Sequence, residues 1–222
     1  QYTSINVDDS DTIHVSYYDN NDEVGYYYSS IPTTGPPERT LIDTIVRYQH
    51  PVSSTINSAG NQTVICRETV SGGYMRILPY HENWRASKIV DVGDYAQLIS
   101  IDSKYDGSPG IIWTSTTMPT LPPTGYLVLT ELTPGGWVTE LIDGVDVVQN
   151  TVSYLKFDRY DNPHVVYAKA AGGLYYAVRE SGVWTSSEIT SETTYGFSLD
   201  VTFAGKPVVS YMDLDSNLYY AE

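Results

Sequence analysis

The stretch from Val152 to Ile189 decides the fold: VSYLKFDRYDNPHVVYAKAAGGLYYAVRESGVWTSSEI. It divides into four short segments in which apolar or aromatic residues alternate with polar ones, at Val152–Phe157, Pro163–Ala168, Leu174–Arg179 and Val183–Ile189. Asp, Asn, Ser and Gly lie between the segments, and these residues favour tight turns. Alternation with a period of two residues, interrupted by turns, is typical of antiparallel strands. The stretch therefore predicts one four-stranded antiparallel sheet.

The same pattern recurs along the whole chain. The second strand of each unit has a central aliphatic residue, and these residues follow one another at intervals of 50, 46, 54 and 44 positions: Val15, Ile65, Ile111, Val165 and Val209. In three units a Trp precedes an Ile by five positions in the fourth strand: Trp84 and Ile89, Trp137 and Ile142, Trp184 and Ile189. A two-layer β-sandwich also has alternating strands, but it does not require this Trp and Ile pattern at a fixed spacing.

Units of about 45 residues with four strands each are typical of β-propeller blades. We therefore predict an all-β fold, a five-bladed β-propeller of four-stranded antiparallel blades whose last blade lacks its outer strand. The prediction is a single domain over residues 1–222, with blades at about 3–48, 51–93, 96–147, 151–194 and 197–222.

The last unit has only three predicted strands, at Phe197–Phe203, Pro207–Asp213 and Leu218–Ala221, before the sequence ends at Glu222. Thr3–Val7 is predicted as the inner strand of the first blade, so it does not supply the missing outer strand. Backbone groups at an unpaired edge are a template for another strand. The predicted assembly edge consists of Leu218, Tyr219, Tyr220 and Ala221. The alternatives are a three-stranded blade with a hydrated edge and a fragment of a longer protein.

Composition excludes several classes of partner. The chain has 12 Lys and Arg against 27 Asp and Glu, a net charge of −15, so it is poorly suited to neutralise nucleic-acid phosphates. No apolar run approaches the roughly 20 residues that a membrane-spanning helix needs, so no membrane insertion is expected. Cys66 is the only cysteine, which excludes an intrachain disulfide. Acidity, scarce Lys and abundant Ser, Thr and Tyr favour an extracellular or cell-surface location.

The innermost strands give little indication of catalysis. A glycosidase needs two carboxyl groups about 5 to 9 Å apart. The polar residues predicted to share one register position on the inner strands are Asn6, Thr55, Ser100, Lys156 and Thr202, and they include no acid. Asp200 lies out of this register. We therefore predict that the protein is not an enzyme; the alternative is an atypical glycoside hydrolase or lyase relative that uses Asp200.

Acidic turns supply the only candidates for a metal site. Ca²⁺ prefers clustered oxygen ligands, and the two best candidate pairs are Asp19 with Asp22 and Asp213 with Asp215. Asp and Asn also dominate turns for backbone reasons alone. Apart from calcium, no cofactor is expected. His14 and His164 occupy one repeat position and are predicted to be hydrogen-bonded structural residues. Asn61, in Asn-Gln-Thr, is a candidate glycosylation site.

The segment Asn162–Tyr167 followed by Leu174–Ala177 resembles the repeat of secreted prokaryotic β-propellers, including sialidase-like and lectin-like ones. The Asp-box of sialidases is absent from every unit. The resemblance implies an extracellular binding or scaffolding role. We predict a non-enzymatic module with a surface-structural or self-assembling role. It would associate with other copies through its incomplete last blade, and such association could form filaments. The alternative is a lectin-like propeller that binds glycans through exposed tyrosines.

Overall fold

The computed structural model describes residues 3–19, 25–43, 53–57, 62–68, 74–79, 87–91, 97–115, 126–143 and 153–222. Within these ranges every regular element is a β-strand, and no helix there is long and apolar enough to cross a membrane. The chain divides into two compact units, residues 1–95 and residues 96–222.

The first unit contains two four-stranded antiparallel sheets, each with its strands in chain order. Sheet 1 consists of β1 (Thr3–Val7), β2 (Ile13–Asp19), β3 (Gly25–Ile31) and β4 (Glu38–Asp43). Sheet 2 consists of β5 (Ser53–Ile56), β6 (Gln62–Glu68), β7 (Tyr74–Pro79) and β8 (Ser87–Asp91).

The second unit contains two further four-stranded sheets and one of three strands, again antiparallel and in chain order. Sheet 3 consists of β9 (Gln97–Ser103), β10 (Pro109–Ser115), β11 (Tyr126–Thr133) and β12 (Gly136–Asp143). Sheet 4 consists of β13 (Tyr154–Phe157), β14 (Pro163–Ala168), β15 (Leu174–Glu180) and β16 (Val183–Thr190). Sheet 5 consists of β17 (Thr194–Val201), β18 (Pro207–Asp213) and β19 (Leu218–Ala221).

These sheets confirm the predicted units of four antiparallel strands, with three strands in the last. The largest difference from the predicted boundaries is in β17, which runs from Thr194 to Val201 and not from Phe197 to Phe203. The register of β17 against β18 shifts between Thr194 and Gly196, and this bulge lets Thr194 pair with Asp213. The last sheet therefore begins inside the segment assigned to the preceding blade.

The core of the second unit lies on both faces of sheet 4. Alternate residues of a strand face opposite sides of a sheet, so neighbouring residues of β14 enter different clusters. Val165 packs with Leu155 and with Ile112 of sheet 3, whereas Val166 packs with Leu199 of sheet 5. All six residues of β14 are buried as a result.

Three of the recurring Trp and Ile residues of the fourth strands contribute to the same packing. Ile142 and Trp184 lie against the cluster between sheets 3 and 4, and Ile189 lies against the cluster between sheets 4 and 5. Trp84 lies outside the described residues. In the second unit the repeated pattern thus serves packing between successive sheets.

Candidate functional site

Six hairpin turns in the described part of the chain share one backbone geometry. The first residue of each turn donates its N–H to the carbonyl of the fifth, and the fourth donates to the carbonyl of the first, with N···O distances of 2.8 to 3.2 Å. The first residues are Asp8, Lys104, Asp158, Lys169, Thr202 and Asp213. The fourth residues have positive φ: Asp11, Gly107, Asp161, Gly172, Gly205 and Ser216. Gly, and less often Asp or Asn, adopts this conformation readily, which accounts for much of the acidic turn sequence.

Asp213 illustrates how the acidic side chains are used. Its Oδ1 accepts hydrogen bonds from the backbone N–H groups of Asp215 and Asn217, at 2.9 Å each. Its Oδ2 accepts from the Asn217 amide and from the Tyr219 hydroxyl, at 3.0 Å each. The hydrogen bonds from Asn217 lower the pKa of the Asp213 carboxyl. A calcium ion held by Asp213 and Asp215 would have to displace these donors.

The other predicted ligands are not brought together. Asp19 forms an ion pair with Arg39 at 3.0 Å, and Asp22 lies outside the described residues. The described ranges contain no group of three or more His, Cys, Asp or Glu residues arranged to hold a metal. Calcium binding therefore stays a prediction. Asn61 also lies outside the described residues, so its glycosylation stays a prediction too.

The two repeated histidines are hydrogen-bonded, as the sequence predicts. His14 Nδ1 lies 2.8 Å from the Tyr28 hydroxyl, and its Nε2 lies 2.9 Å from an Asp8 carboxylate oxygen. His164 Nδ1 lies 2.6 Å from the Tyr176 hydroxyl. Burial lowers the pKa of His164 below its ordinary value of 6.5, so the neutral ring is favoured near neutral pH.

The residues that share a register position on the first strands differ from the predicted set. The structure aligns Asn6, Ser54, Asp102, Lys156 and Asp200. The predicted assignment of Thr55, Ser100 and Thr202 to this position is wrong. Ser54, Asp102 and Asp200 take their places, because they pair with Val64, Gly110 and Val208 of the second strands.

The aligned set therefore contains two acids, both with backbone partners. Asp102 Oδ2 accepts a hydrogen bond from the Phe157 N–H at 2.8 Å, which joins sheet 3 to sheet 4. Asp200 Oδ1 accepts from the Val201 N–H at 2.9 Å. Asp102 has a structural use in linking neighbouring first strands, which sequence reasoning missed.

Three of the most exposed aromatic side chains in the second unit lie at the tips of turns between a first and a second strand. Tyr105, Tyr160 and Phe203 are 75%, 63% and 84% exposed. They belong to sheets 3, 4 and 5 and occupy the second or third residue of the shared turn. Side chains at these two positions project from the turn without forming its backbone hydrogen bonds.

Direct contacts connect the three turns. Asp161 of sheet 4 accepts a hydrogen bond from the Tyr105 N–H of sheet 3 at 2.6 Å. The guanidinium carbon of Arg159 lies 4.6 Å from the Tyr160 ring centre and 5.0 Å from that of Phe203. Arg159 also donates a hydrogen bond to the Tyr160 hydroxyl. We call this set, Tyr105, Arg159, Tyr160, Asp161 and Phe203, the aromatic turn surface.

Sequence reasoning did not identify the aromatic turn surface, although a signal for it exists. The turns Lys104–Ser108, Asp158–Asn162 and Thr202–Lys206 each carry an aromatic residue at the second or third position. The calcium prediction concerned Asp19 with Asp22 and Asp213 with Asp215, which lie outside these three turns. Their proximity depends on packing between sheets 3, 4 and 5, which a single repeat does not reveal.

The predicted assembly edge lies on the outer side of sheet 5. Among the described residues β19 pairs only with β18, and Leu218, Tyr219 and Tyr220 are 78%, 41% and 62% exposed. In sheets 1 to 4 the corresponding third strand pairs with a fourth. The edge is therefore exposed in the described structure, while association through it stays a prediction.

Comparison with known proteins supports the fold and no closer relationship. No protein-family model matches the sequence, and no curated protein matches it. The chain is similar to the structure of a triple arginine-to-alanine mutant of AofleA from Arthrobotrys oligospora, with a TM-score of 0.69 at 12% identity over 99% of this chain and 68% of that one. It is also similar to a mutant of the Aleuria aurantia lectin in complex with Fucalpha1-6GlcNAc, with a TM-score of 0.58 at 9% identity over 99% of this chain and 90% of that one.

A third solved structure is that of an ulvan lyase, a polysaccharide lyase, with a TM-score of 0.59 at 11% identity over 99% of this chain and 63% of that one. These structures are β-propellers. Together with the antiparallel sheets described above, they show that the chain has an all-β propeller fold with four-stranded blades. Identities this low carry the fold and not the function.

Proposed function

We propose that this chain is a non-enzymatic, extracellular or cell-surface β-propeller module that binds carbohydrate at the aromatic turn surface. In this proposal the five sheets are five blades, and the fifth is completed by a strand from a partner. The observation that carries the carbohydrate proposal is the Arg159 guanidinium against the exposed rings of Tyr160 and Phe203, with the turn of the exposed Tyr105 joined to them through its N–H and Asp161.

The chemistry of this surface suits a sugar. An exposed aromatic ring offers an apolar face to the C–H face of a pyranose, and Tyr adds a hydroxyl at its rim. The Arg159 guanidinium and the Asp161 carboxylate lie beside the rings and can donate to or accept from sugar hydroxyls. A contiguous apolar patch rimmed by polar groups is typical of a binding site.

The likeness to a lectin solved with a bound saccharide supports this proposal at the level of the fold. The likeness to a polysaccharide lyase leaves catalysis as the competing function. Carbohydrate binding requires only the exposed rings and their polar neighbours, whereas catalysis requires acids free to exchange protons. Asp102 and Asp200 accept backbone N–H groups, from Phe157 and from Val201, and this structural use of both acids supports binding over catalysis.

The carbohydrate proposal predicts that Phe203→Ala and Tyr160→Ala each weaken glycan binding about tenfold, the loss expected for one stacking ring of about 1.4 kcal/mol. Both rings are exposed, so the unfolding temperature should change little. A glycan array followed by titration of the best ligand measures the effect. Tyr195→Ala is the matched control, because Tyr195 is 69% exposed and lies outside the surface. The proposal would be contradicted if Phe203→Ala and Tyr160→Ala bound the glycan as tightly as the control Tyr195→Ala, or if the array showed no ligand.

A second candidate function is self-association through the edge of β19, in discrete oligomers or filaments. It is favoured by the edge of β19, which among the described residues pairs with β18 alone, and by the 78% exposure of Leu218 on that strand. An edge of this kind is a docking site for another strand.

Self-association predicts that deleting residues 218–222 abolishes oligomers while a folded monomer remains. Leu218→Lys tests the same edge without shortening the sheet, and we expect it to shift the protein to monomers as well. Leu214→Lys is the control, because Leu214 is 57% exposed but lies in the turn before β19. Sedimentation velocity and electron microscopy measure the assembly state. Oligomers that survive Leu218→Lys would exclude this edge as the contact.

A further inference from the structure

Sheets 4 and 5 contain the same four-residue strand in two environments. Leu174-Tyr175-Tyr176-Ala177 begins β15 and Leu218-Tyr219-Tyr220-Ala221 forms β19. In sheet 4 this strand pairs with β16 along its outer edge, and Leu174 is 0% exposed because it packs with Leu199 and Val209 of sheet 5. In sheet 5 the corresponding Leu218 is 78% exposed. The same four residues therefore accept a fourth strand in sheet 4, and β19 fits a neighbour of that type.

The complete sheet 1 shows what such a neighbour contributes. Arg39 of β4 places its guanidinium carbon 3.9 Å from the ring centre of Tyr27 and 3.0 Å, through Nη2, from a carboxylate oxygen of Asp19. Tyr27 in turn stacks on Tyr17, with ring centres 5.7 Å apart. A cation over an aromatic face beside a carboxylate is held by two attractions at once.

In sheet 4 a lysine packs on an equivalent pair of stacked tyrosine rings. Tyr167 stacks on Tyr175 with ring centres 6.0 Å apart, and Lys169 Nζ lies 4.0 Å from the Tyr175 ring centre. The same ammonium lies 2.9 Å from an Asp143 carboxylate oxygen. A stacked tyrosine pair with a cation and a carboxylate therefore occurs in both sheets, with the cation on a different element in each.

Sheet 5 has the rings and the carboxylate of sheet 1 at matching register positions. Tyr211 pairs with Tyr219 as Tyr17 pairs with Tyr27, and the two rings of sheet 5 stack 5.2 Å apart at 15°. Asp213 ends β18 as Asp19 ends β2, and because its oxygens already accept four hydrogen bonds it would attract a cation by its charge without bonding to it directly. Tyr219 is 41% exposed. The matching position for a cation is the one opposite Ala221, because Arg39 pairs with Ser29 in sheet 1.

The local charge favours a basic partner. The segment from Asp213 to Glu222 contains three acids and no Lys or Arg. Tyr220 donates a hydrogen bond to Glu222, so one of these acids lies directly on the edge. A strand with positive charge would be attracted to this edge, whereas a second copy of the same acidic edge would be repelled.

We propose that β19 is the acceptor for an extended basic segment, whose Arg or Lys opposite Ala221 packs on the Tyr219 ring beside Asp213. This inference rests on strand addition at β19 and names the chemistry of the added strand. Backbone hydrogen bonds provide the affinity, and the cation fixes the register. The occupant differs from a self-paired β19 edge, which would bring two acidic strands together.

The chain itself offers the probe for a direct test. Glu222 occupies the register position of Ser30, so appending a copy of residues 31–43 after Glu222 recreates the hairpin that leads into β4. The appended copy carries Glu38→Gln and Asp43→Asn, which leaves Arg39 as its one charged side chain and removes an acid opposite Glu222. We expect the appended copy to protect the amides of Leu218–Ala221 from hydrogen exchange and to raise the unfolding temperature. With Arg39→Gln in the appended copy, the protection should fall about 3- to 10-fold, the loss of one exposed to partly buried cation–π contact.

Two further proteins make the result decisive. In a background of Tyr219→Leu, the Arg and Gln versions of the appended copy should give equal protection, because the ring that distinguishes them is gone. Equal protection of both versions in the unaltered background would overturn the role of the cation while leaving strand addition intact. Protection by neither version, or protection of these amides in the monomeric chain without an appended copy, would overturn the acceptor role of β19. Sedimentation of the unextended chain tests self-association separately.

Discussion

Replacing Arg179 with methionine is expected to lower the free energy of unfolding by about 3 kcal/mol at neutral pH, because a buried carboxylate loses a counter-ion. The Glu131 side chain is 7% exposed, and its oxygens lie 2.6 Å from Arg179 Nη1 and 2.8 Å from Lys104 Nζ. Arg179 also pairs with Glu140, which accepts a hydrogen bond from the Trp184 indole N–H at 3.1 Å. These groups join sheets 3 and 4, so the loss weakens contact between the two sheets.

The pH dependence of this loss identifies its cause. Burial alone raises the pKa of Glu131, but hydrogen bonds from Arg179 and Lys104 outweigh it and hold the pKa below the ordinary value of 4.5. The ionised carboxylate therefore stabilises the fold above that pH, and the contribution is lost as the pH falls through the folded pKa. Without Arg179, Glu131 protonates at higher pH, so the difference between the two proteins should be largest near neutrality and narrow in acid.

Denaturant unfolding at several pH values measures this difference. Arg39→Met is the matched control, since the Arg39 side chain is 47% exposed and its pair with Asp19 should contribute less than about 1 kcal/mol. Adding both Glu131→Gln and Lys104→Met to Arg179→Met should recover part of the loss, because no charge of the Glu131, Lys104 and Arg179 group is then left without its partner. A loss that is independent of pH and unrelieved by these two changes would mean that Arg179 acts through its packing alone.

The second large effect is expected from Gly110→Ala, which should destabilise the protein by about 1 to 3 kcal/mol through overpacking. A Cβ at Gly110 would lie 2.4 Å from Cζ and 2.6 Å from Cε2 of the Phe157 ring. Gly110 is buried, so the ring of sheet 4 would have to move away from sheet 3. Thermal and denaturant unfolding measure the change.

Gly196→Ala is the control for the glycine effect itself. Gly196 also lies in a strand, but a Cβ there would meet no atom within 4 Å. That change should be neutral or slightly stabilising, because it only restricts the unfolded chain. Phe157→Leu should partly relieve the clash caused by Gly110→Ala. The double variant should therefore lose less unfolding free energy than the sum of the two single losses. Strict additivity would contradict a direct clash between these positions.

The strands and their grouping could be predicted from sequence because each sheet repeats one local pattern. Period-2 alternation bounded by Asp, Asn and Gly identified the strands of sheet 4, and the recurring Trp and Ile identified the repeat. The observed packing of Ile142 and Ile189 between sheets explains why that pattern recurs in the second unit. The start of β17 could not be predicted, because it depends on a bulge beside Gly196.

The candidate site was less accessible from sequence. Side chains that meet across sheets, such as Tyr105 with Asp161 or Arg159 with Phe203, lie 56 and 44 residues apart and share no local pattern. The register of the first strands was also misjudged, so Asp102 was not placed beside Gly110. The acidic turns were correctly noted, but their geometry shows that positive φ and backbone capping already account for many of their acids.

The shared turn has a consequence for how recognition could change over time. Its closure depends on backbone groups of the first, fourth and fifth residues, and in one turn the tip residue Asp106 adds a side-chain acceptor for the Ser108 N–H at 2.8 Å. We expect the other tip residues, Tyr105, Arg159-Tyr160 and Phe203-Ala204, to be exchangeable without loss of the turn. Exchanging these tip residues among the loops is expected to change which ligand the protein binds, while the strands on either side keep their stability.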